Sequence, residues 1–290
     1  MMVASLLPTR ARSTTEAVAS VNQTHFAASD LIVAESLGKA FAARTGPVQA
    51  LSDVRFSIRS GEFVSILGPS GCGKSTLLLL LAGLEKPSQG SVRIGGKLID
   101  SPYQAAGIVF QDPTLMPWRN ALDNVLFPVV MTGRSPAKYR NRALALLKLA
   151  GLTDAIERRP RQLSGGMRQR VALCRALIDD PVILFLDEPF SALDAINRDE
   201  MNQFFLDLWD RHHKTAVFVT HSVREATLLS DRILVMGTRP GRIIADIRVD
   251  FPRPRGFSLS MSADFNRLCE QLRGLVQNAH GARQSPGTGS

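Results

Sequence analysis

The sequence has few cysteines and no long apolar run. Its three cysteines are odd in number and widely spaced, so they offer neither a disulfide framework nor a metal-ligand cluster and suit a reducing cytosol. No apolar stretch approaches the roughly 18 residues that a membrane-spanning helix needs. The apolar start of the chain is short and has no basic stretch before it, so we do not expect a secretory signal. At 290 residues and 44% hydrophobic, the chain can bury a sizeable core, and we expect one large α/β domain or one domain with a subdomain.

Acidic residues are too few to balance the basic ones. The 35 lysines and arginines against 26 aspartates and glutamates give a formal charge of +9. Nucleic acid or an anionic membrane face would attract such a chain. The basic residues are scattered, however, with arginines gathered mainly after residue 238, so a solvated surface is the commoner explanation. Peripheral attachment to a membrane complex also tolerates this charge.

Strand-like and helix-like segments alternate along most of the chain. Short apolar runs bounded by turn residues predict strands at 31–34, 48–51, 54–58, 63–67, 91–94, 107–110, 182–187, 215–220 and 232–236. Helical spacing predicts helices at 74–83, 142–149, 169–178, 199–211, 223–229 and 263–278. Such alternation indicates crossover connections and a parallel sheet. Residues 1–29, rich in Ala, Ser and Thr, are predicted to be a flexible extension.

Residues 68–76 carry a phosphate-binding motif. They read Gly-Pro-Ser-Gly-Cys-Gly-Lys-Ser-Thr and match G-x-x-x-x-G-K-[ST] between a predicted strand and a predicted helix. The glycines let the backbone approach an anion, and the helix N-terminus supplies N–H groups. Lys74 is predicted to reach the β- and γ-phosphates, and the Ser75 hydroxyl to ligate Mg²⁺. The candidate nucleotide-binding residues of this P-loop are Gly68, Pro69, Ser70, Gly71, Cys72, Gly73, Lys74, Ser75 and Thr76.

Two carboxylates follow the apolar strand predicted at 182–187. A hydrophobic strand that ends in an aspartate places Asp187 beside the P-loop, where it can hold Mg²⁺ through a water. Glu188, one residue further, lies where a base can polarise an attacking water. Two adjacent carboxylates at a strand end also occur in solvated turns, but a P-loop in the same chain favours the catalytic interpretation.

Ser164, Gly165 and Gly166 precede a helix predicted to begin near Met167, which makes a second anion-binding helix terminus. Alone, such a run is usually a helix cap. Together with the P-loop and the two carboxylates, it resembles the signature of the ATP-binding cassette (ABC) ATPases, and the resemblance extends over residues 31–245. It implies an α/β P-loop NTPase (RecA-like) fold with a mixed or parallel sheet core, an antiparallel β subdomain and a helical subdomain.

The resemblance also implies limits for the domains. The ABC ATPase domain is expected at 30–250, with the helical subdomain at about 112–168. A C-terminal helix and a disordered tail are expected at 251–290. The roughly 45 residues after Ala245 are too few for the regulatory β-domain of some sugar-importer ATPases.

Site roles follow from the resemblance residue by residue. Two cassettes close face to face, so Ser164, Gly165 and Gly166 would contact the ATP of the partner chain, and Asp194, in the D-loop at 191–194, would cross the interface. Gln111 resembles the Q-loop glutamine that touches Mg²⁺ and the attacking water. His221 resembles the switch histidine at the γ-phosphate. Phe41 lies at the place of the aromatic that stacks on adenine, although that residue is more often tyrosine and segment 42–49 aligns loosely.

Several short strings resemble the nitrate/sulfonate/taurine group of importer ATPases. They are the segments 115–119, 122–125 and 239–242, and the first is where these ATPases meet the permease. This implies an ATP-hydrolysing subunit that energises uptake of a small anion such as nitrate, a sulfonate, taurine or bicarbonate. The implied partners are a second copy of the chain, two integral-membrane permease subunits and a periplasmic or lipid-anchored substrate-binding protein. The implied location is the cytoplasmic face of the inner membrane, and no nucleic acid partner is expected.

Two other classes share parts of the pattern. A P-loop small-molecule kinase has the first motif but does not require the segments 163–167 and 191–194. A soluble cassette that acts on nucleic acid or ribosomes fits the basic charge, but such proteins usually carry two cassettes or a long coiled-coil insertion. Co-purification separates the classes, because nucleic acid binding is salt-sensitive.

Overall fold

The computed structural model describes residues 30–44, 46–191, 193–212 and 214–281. The flexible extension predicted at 1–29 lies outside these residues. The tail predicted to be disordered from residue 281 also lies outside them, apart from Gly281, which ends a helix.

A six-stranded sheet forms the centre of the described part of the chain. Its strand order is β10–β9–β3–β8–β7–β6. The strands are β3 Phe63–Leu67, β6 Ala106–Val109, β7 Ile183–Asp187, β8 Thr215–Thr220, β9 Arg232–Gly237 and β10 Arg242–Arg248. All pairs are parallel except β9–β10. Every residue of β3 and β8 is buried, which explains their nearly unbroken apolar sequences. The predicted α/β fold with a mixed sheet is confirmed.

A second, antiparallel sheet has the order β2–β1–β4–β5. Its strands are β1 Asp30–Phe41, β2 Val48–Arg59, β4 Gln89–Ile94 and β5 Lys97–Leu98. The prediction of two strands at 48–51 and 54–58 is wrong, because β2 is continuous. The register changes from Leu37 opposite Val54 to Lys39 opposite Leu51, and Asp53 has a φ of 46°. A bulge here bends the strand without ending it.

Helices cover both faces of the central sheet, and three helices also share a core of their own. They are α1 Lys74–Leu81, α2 Ala121–Met131, α3 Pro136–Leu149, α4 Gly165–Leu177, α5 Ala195–His212, α6 Val223–Leu229 and α7 Ala263–Gly281. Helix α1 packs its leucines between the two sheets. On the other face, Phe63 contacts Trp209 edge-to-face with a centroid distance of 4.9 Å. Such aromatic pairs add about 0.5–1.5 kcal/mol beyond their buried area.

Helices α2, α3 and α4 share an apolar core of their own, which includes Val125, Leu147 and Val171. Helix α4 begins at Gly165 rather than near Met167, because Ser164 Oγ accepts the Met167 N–H and caps the helix. Among the described residues, no helix is both long and apolar enough to cross a bilayer.

Candidate functional site

The P-loop joins β3 to α1 at the carboxyl end of the parallel strands of the central sheet. Gly71 and Gly73 have φ values of 75° and 99°, which favour glycine. A Cβ at Gly73 would also lie 2.8 Å from Leu51 Cδ2. Lys74 Nζ donates to Gly68 O at 3.0 Å and to Pro69 O at 3.2 Å, and Lys74 is only 4% exposed. The loop therefore holds a buried ammonium beside the N–H groups that begin α1, which suits an anion.

A hydroxyl and a carboxylate meet beside this loop. Ser75 Oγ donates to Asp187 Oδ1 at 2.9 Å. Strands β3, β8 and β7 are parallel neighbours, so their carboxyl ends lie side by side at the same end of the sheet. Burial raises the pKa of Asp187, and the Ser75 hydrogen bond partly opposes the rise. Hydroxyl and carboxylate oxygens are ligands that Mg²⁺ prefers beside a polyphosphate, so the donor set fits this ion.

Glu188 connects the P-loop lysine to the histidine that follows β8. Its Oε1 lies 3.3 Å from Lys74 Nζ, and its Oε2 lies 2.9 Å from His221 Nδ1. The Glu188 backbone has a φ of 43°, and its N–H donates to Val219 O at 2.9 Å. Ser191 Oγ donates to Glu188 O. A residue held in this uncommon conformation by its neighbours is typical of active sites.

The signature residues lie at the start of helix α4, which belongs to the group of three helices with its own core. Ser164 and Gly165 are exposed at the start of α4, and Gly166 is buried. No hydrogen bond or ion pair among the described residues joins them to residues 68–76. Asp194 caps α5 by accepting from Asn197 N at 3.0 Å and Asn197 Nδ2 at 2.7 Å. Asn197 also approaches Gly166, since a Cβ there would lie 3.6 Å from Asn197 Oδ1.

Gln111 follows β6, whose parallel neighbour β7 carries Asp187 at its end. The Gln111 side chain is exposed. Gln111 therefore lies at the same end of the parallel strands as the P-loop, as the sequence predicts. Within the part of the chain that the structure describes, no hydrogen bond or ion pair joins it to the other site residues.

A groove of about 720 Å³ extends from the P-loop along β2. Its lining residues are Val48, Gln49, Ala50, Gly71, Gly73, Ser75, Thr76, Arg239 and Pro240. Phe41 does not line the groove. It is 41% exposed, however, and it pairs across the strands with Val48, which is a lining residue. Lys39 Nζ lies 4.9 Å from the Phe41 ring centroid.

Sequence reasoning missed the part of this groove formed by Arg239 and Pro240. The Gly241 N–H donates to Ala50 O at 2.9 Å, which ties this turn to β2. The string 239–242 carries a family resemblance, but nothing in the local sequence places it beside residues 48–50. Among the other P-loop residues, Ser70 is exposed, and Cys72 is buried with its pKa raised by that burial.

A second cleft, of about 910 Å³, lies at the amino ends of β3 and β9, opposite the P-loop. Charged side chains of both signs line it, including Arg59, Glu62, Asp231 and Arg232. It contains none of the predicted site residues, so we assign the site to the smaller groove, where the phosphate-binding geometry is.

Comparisons with known proteins agree with this geometry. The family model described as ABC transporter matches residues 51–191. An uncharacterized ABC transporter ATP-binding protein of Methanocaldococcus jannaschii is 44% identical over 221 residues, 76% of this chain and 83% of that protein. A taurine import ATP-binding protein of Pseudomonas aeruginosa is 43% identical over 246 residues, 83% of this chain and 94% of that protein.

Solved structures give the same result. The dimeric structure of a post-hydrolysis state of an ATP-binding cassette, bound to ADP and Pi, aligns with a TM-score of 0.68. The two sequences are 34% identical, and the alignment covers 76% of this chain and all of that chain.

Proposed function

The chain belongs to the ABC transporter family, and from that premise we propose that it is the ATP-hydrolysing subunit of an importer for a small anion. The observation that carries the proposal is the contact sequence Lys74–Glu188–His221, beside Ser75 and Asp187, at one edge of the sheet. Phosphate ligand, base and γ-phosphate sensor are adjacent there, as hydrolysis of a triphosphate requires.

Nucleotide binding is assigned to the P-loop and the groove beside it. Lys74 and the available backbone N–H groups of the P-loop bind the phosphates, and Phe41, which pairs with the groove residue Val48, would stack on the base. Ser75, Asp187 and Gln111 would hold Mg²⁺. When bound, the ion neutralises charge on the phosphate oxygens.

Hydrolysis is assigned to Glu188 and His221. Glu188 orients and polarises the attacking water, and His221, hydrogen-bonded to Glu188 at 2.9 Å, contacts the γ-phosphate. Gln111 completes the water site from the end of β6. The well-held backbone of Glu188 keeps its carboxylate in place for this step.

The signature residues act on a second copy of the chain. Ser164 and Gly165 are exposed at a capped helix terminus, and Gly166 and Asp194 lie beside them. These groups serve the ATP bound by the partner, so the working form is a homodimer around two nucleotides. The dimeric neighbour structure supports this arrangement.

Permease contact is assigned to the segment 115–119. Trp118 is 67% exposed, an unusual exposure for so large an apolar side chain. The buried Asn124 holds the segment by accepting the Met116 N–H at 2.7 Å and donating to Met116 O and Arg119 O. In each of the two copies this surface would receive a helix of one permease subunit, and the location that follows from this proposal is the cytoplasmic face of the inner membrane.

The transported solute belongs to the group of nitrate, sulfonates, taurine and bicarbonate. Support comes from the taurine import proteins of Pseudomonas aeruginosa and Sinorhizobium fredii, both 43% identical. A periplasmic or lipid-anchored binding protein would select the anion.

The test is reconstitution of the chain with a candidate permease pair and binding protein in proteoliposomes. We expect Mg-ATP hydrolysis to rise when the binding protein carries its anion, with uptake of that labelled anion. Trp118→Ala should lower permease co-purification, whereas Met261→Ala, an equally exposed apolar residue on another surface, should not. Salt-sensitive co-purification of RNA or DNA, without permease, would instead favour a cassette acting on nucleic acid or ribosomes.

A further inference from the structure

A buried carboxylate lies near His221 and is hydrogen-bonded to the residue before it. Glu225, on the first turn of α6, is 5% exposed. Its Oε2 accepts from Thr220 Oγ1 at 2.7 Å, and Thr220 Oγ1 accepts from the Ser222 N–H at 2.9 Å. Glu225 therefore fixes the residues on both sides of His221. Burial raises its pKa, and the Thr220 hydrogen bond and the charge of Arg198 oppose the rise.

Arg198 connects this carboxylate to the D-loop. The Arg198 Nη2 atom donates to Leu193 O at 2.9 Å, and Nε lies 3.6 Å from Glu225 Oε1. Among the described residues, the buried Nε–H has no acceptor within hydrogen-bonding distance. Buried unsatisfied groups are rare, so an ion pair slightly too long for a hydrogen bond calls for an explanation. A movement of Leu193 would shorten or lengthen it.

We propose that Arg198 and Glu225 are positioning residues that couple the D-loop to His221. The proposal rests on the function assigned above. Leu193 of the D-loop lies beside Gly166, where the partner chain would bind, and its carbonyl accepts a hydrogen bond from Arg198. Arg198 orients Glu225, Glu225 orients the Thr220–Ser222 backbone, and His221 in that backbone contacts Glu188. Arrival of the partner at the D-loop thereby sets the position of the hydrolytic pair.

Helix capping alone does not account for this arrangement. Ser222 and Glu225 have the spacing of a capping box, and Ser222 Oγ accepts the Glu225 N–H at 3.3 Å. In a capping box the glutamate would return to the Ser222 N–H, but Thr220 takes that bond here. The Glu225 carboxylate is instead directed to Thr220 and Arg198. A cap needs no arginine, so Arg198 distinguishes the two roles.

The test is a double-mutant cycle in the full-length protein. Arg198→Met, Glu225→Gln and the double variant are compared for kcat, KM for Mg-ATP and thermal unfolding. Glu225→Gln keeps the shape and the Thr220 bond but removes the charge that faces Arg198. Glu200→Gln is the matched control, because Glu200 lies on the same helix as Arg198, α5, and forms an ion pair without a link to His221. Its partner at 2.7 Å is Arg170 of α4.

We expect each single variant to lower kcat by about 10-fold with KM changed less than twofold, and the double variant to lose no more than either single. Arg198→Lys should fall between wild type and Arg198→Met, since lysine keeps the charge but cannot reach both acceptors. The proposal is overturned if kcat stays within twofold while only the melting temperature falls, or if the two losses multiply. Absence of ATP hydrolysis by the wild type would overturn the proposed function itself.

Discussion

The ammonium nitrogen of Lys74 lies 3.3 Å from Glu188 Oε1. These residues come from the loop after β3 and the end of β7, strands separated in the sheet by β8. The group assigned to the phosphates and the group assigned to the attacking water are therefore in contact, and each can be removed separately to test its role.

Glu188→Gln should stop hydrolysis without preventing nucleotide binding. The amide keeps the size of the side chain but cannot accept a proton, and a general base contributes about 10²- to 10⁴-fold. We expect kcat to fall by at least about 100-fold, measured by phosphate release. Glu270→Gln, at an exposed position of α7, is the control. Hydrolysis by Glu188→Gln at near the wild-type rate would refute the assignment.

Lys74→Ala should weaken ATP binding. Hydrogen bonds to charged groups contribute about 1.5–3 kcal/mol, so we expect affinity to fall by about 10- to 100-fold in calorimetry. Lys97→Ala, at an exposed position of β5, should bind ATP as the wild type does. Equal affinities of the two variants would show that the P-loop lysine does not hold the phosphates.

Asn124→Ala should destabilise the segment that carries Trp118. Asn124 is fully buried and bonds four backbone groups, at Met116 N and O, Arg119 O and Asn120 O. Met116 O and Asn120 O keep their bonds from the backbone N–H groups of Arg119 and Asn124, whereas the Met116 N–H and Arg119 O lose the side-chain partner. An unpaired buried group costs about 1–3 kcal/mol, so we expect the free energy of unfolding to fall by at least about 2 kcal/mol in urea titration. Asn120→Ala removes the cap of the same helix and an exposed hydrogen bond to Glu157, and it should cost about 1 kcal/mol. Equal losses would contradict this account.

The native protein should lack a fast-reacting thiol. Cys72, Cys174 and Cys269 are buried, and burial raises the pKa of Cys174 to about 12. At pH 8 only about 10⁻⁴ of that thiol is the reactive thiolate, and the fraction rises only as the pH approaches 12. We expect Ellman's reagent to label the thiols only after unfolding, while Ser258→Cys, at an exposed position, labels at once. Rapid labelling of the wild type would show that a buried site opens.

Local sequence was sufficient for the elements that position the site. The P-loop, the strand that ends at Asp187 and the strand before His221 are short apolar runs next to polar residues, and the structure has them at the predicted places. The roles given to individual residues there remain predictions.

Features that depend on distant contacts could not be predicted. β10 is an edge strand specified by its pairing with β9, and β2 continues through the bulge at Asp53 because β1 pairs with both of its halves. The groove position of Arg239 and the Arg198–Glu225 contact join residues far apart in sequence. The start of helix α4 is different, because its cap is local: Ser164 Oγ accepts the Met167 N–H, and the helix begins two residues earlier than predicted.

The central claim is that two chains close around ATP through Ser164–Gly166. Light scattering of Glu188→Gln with Mg-ATP tests it most directly, because this variant should hold the closed state. We predict a mass of twice 31.6 kDa with Mg-ATP, and of one chain with ADP or when Ser164→Arg is added. A single-chain mass for Glu188→Gln, while calorimetry shows Mg-ATP bound, would contradict the account.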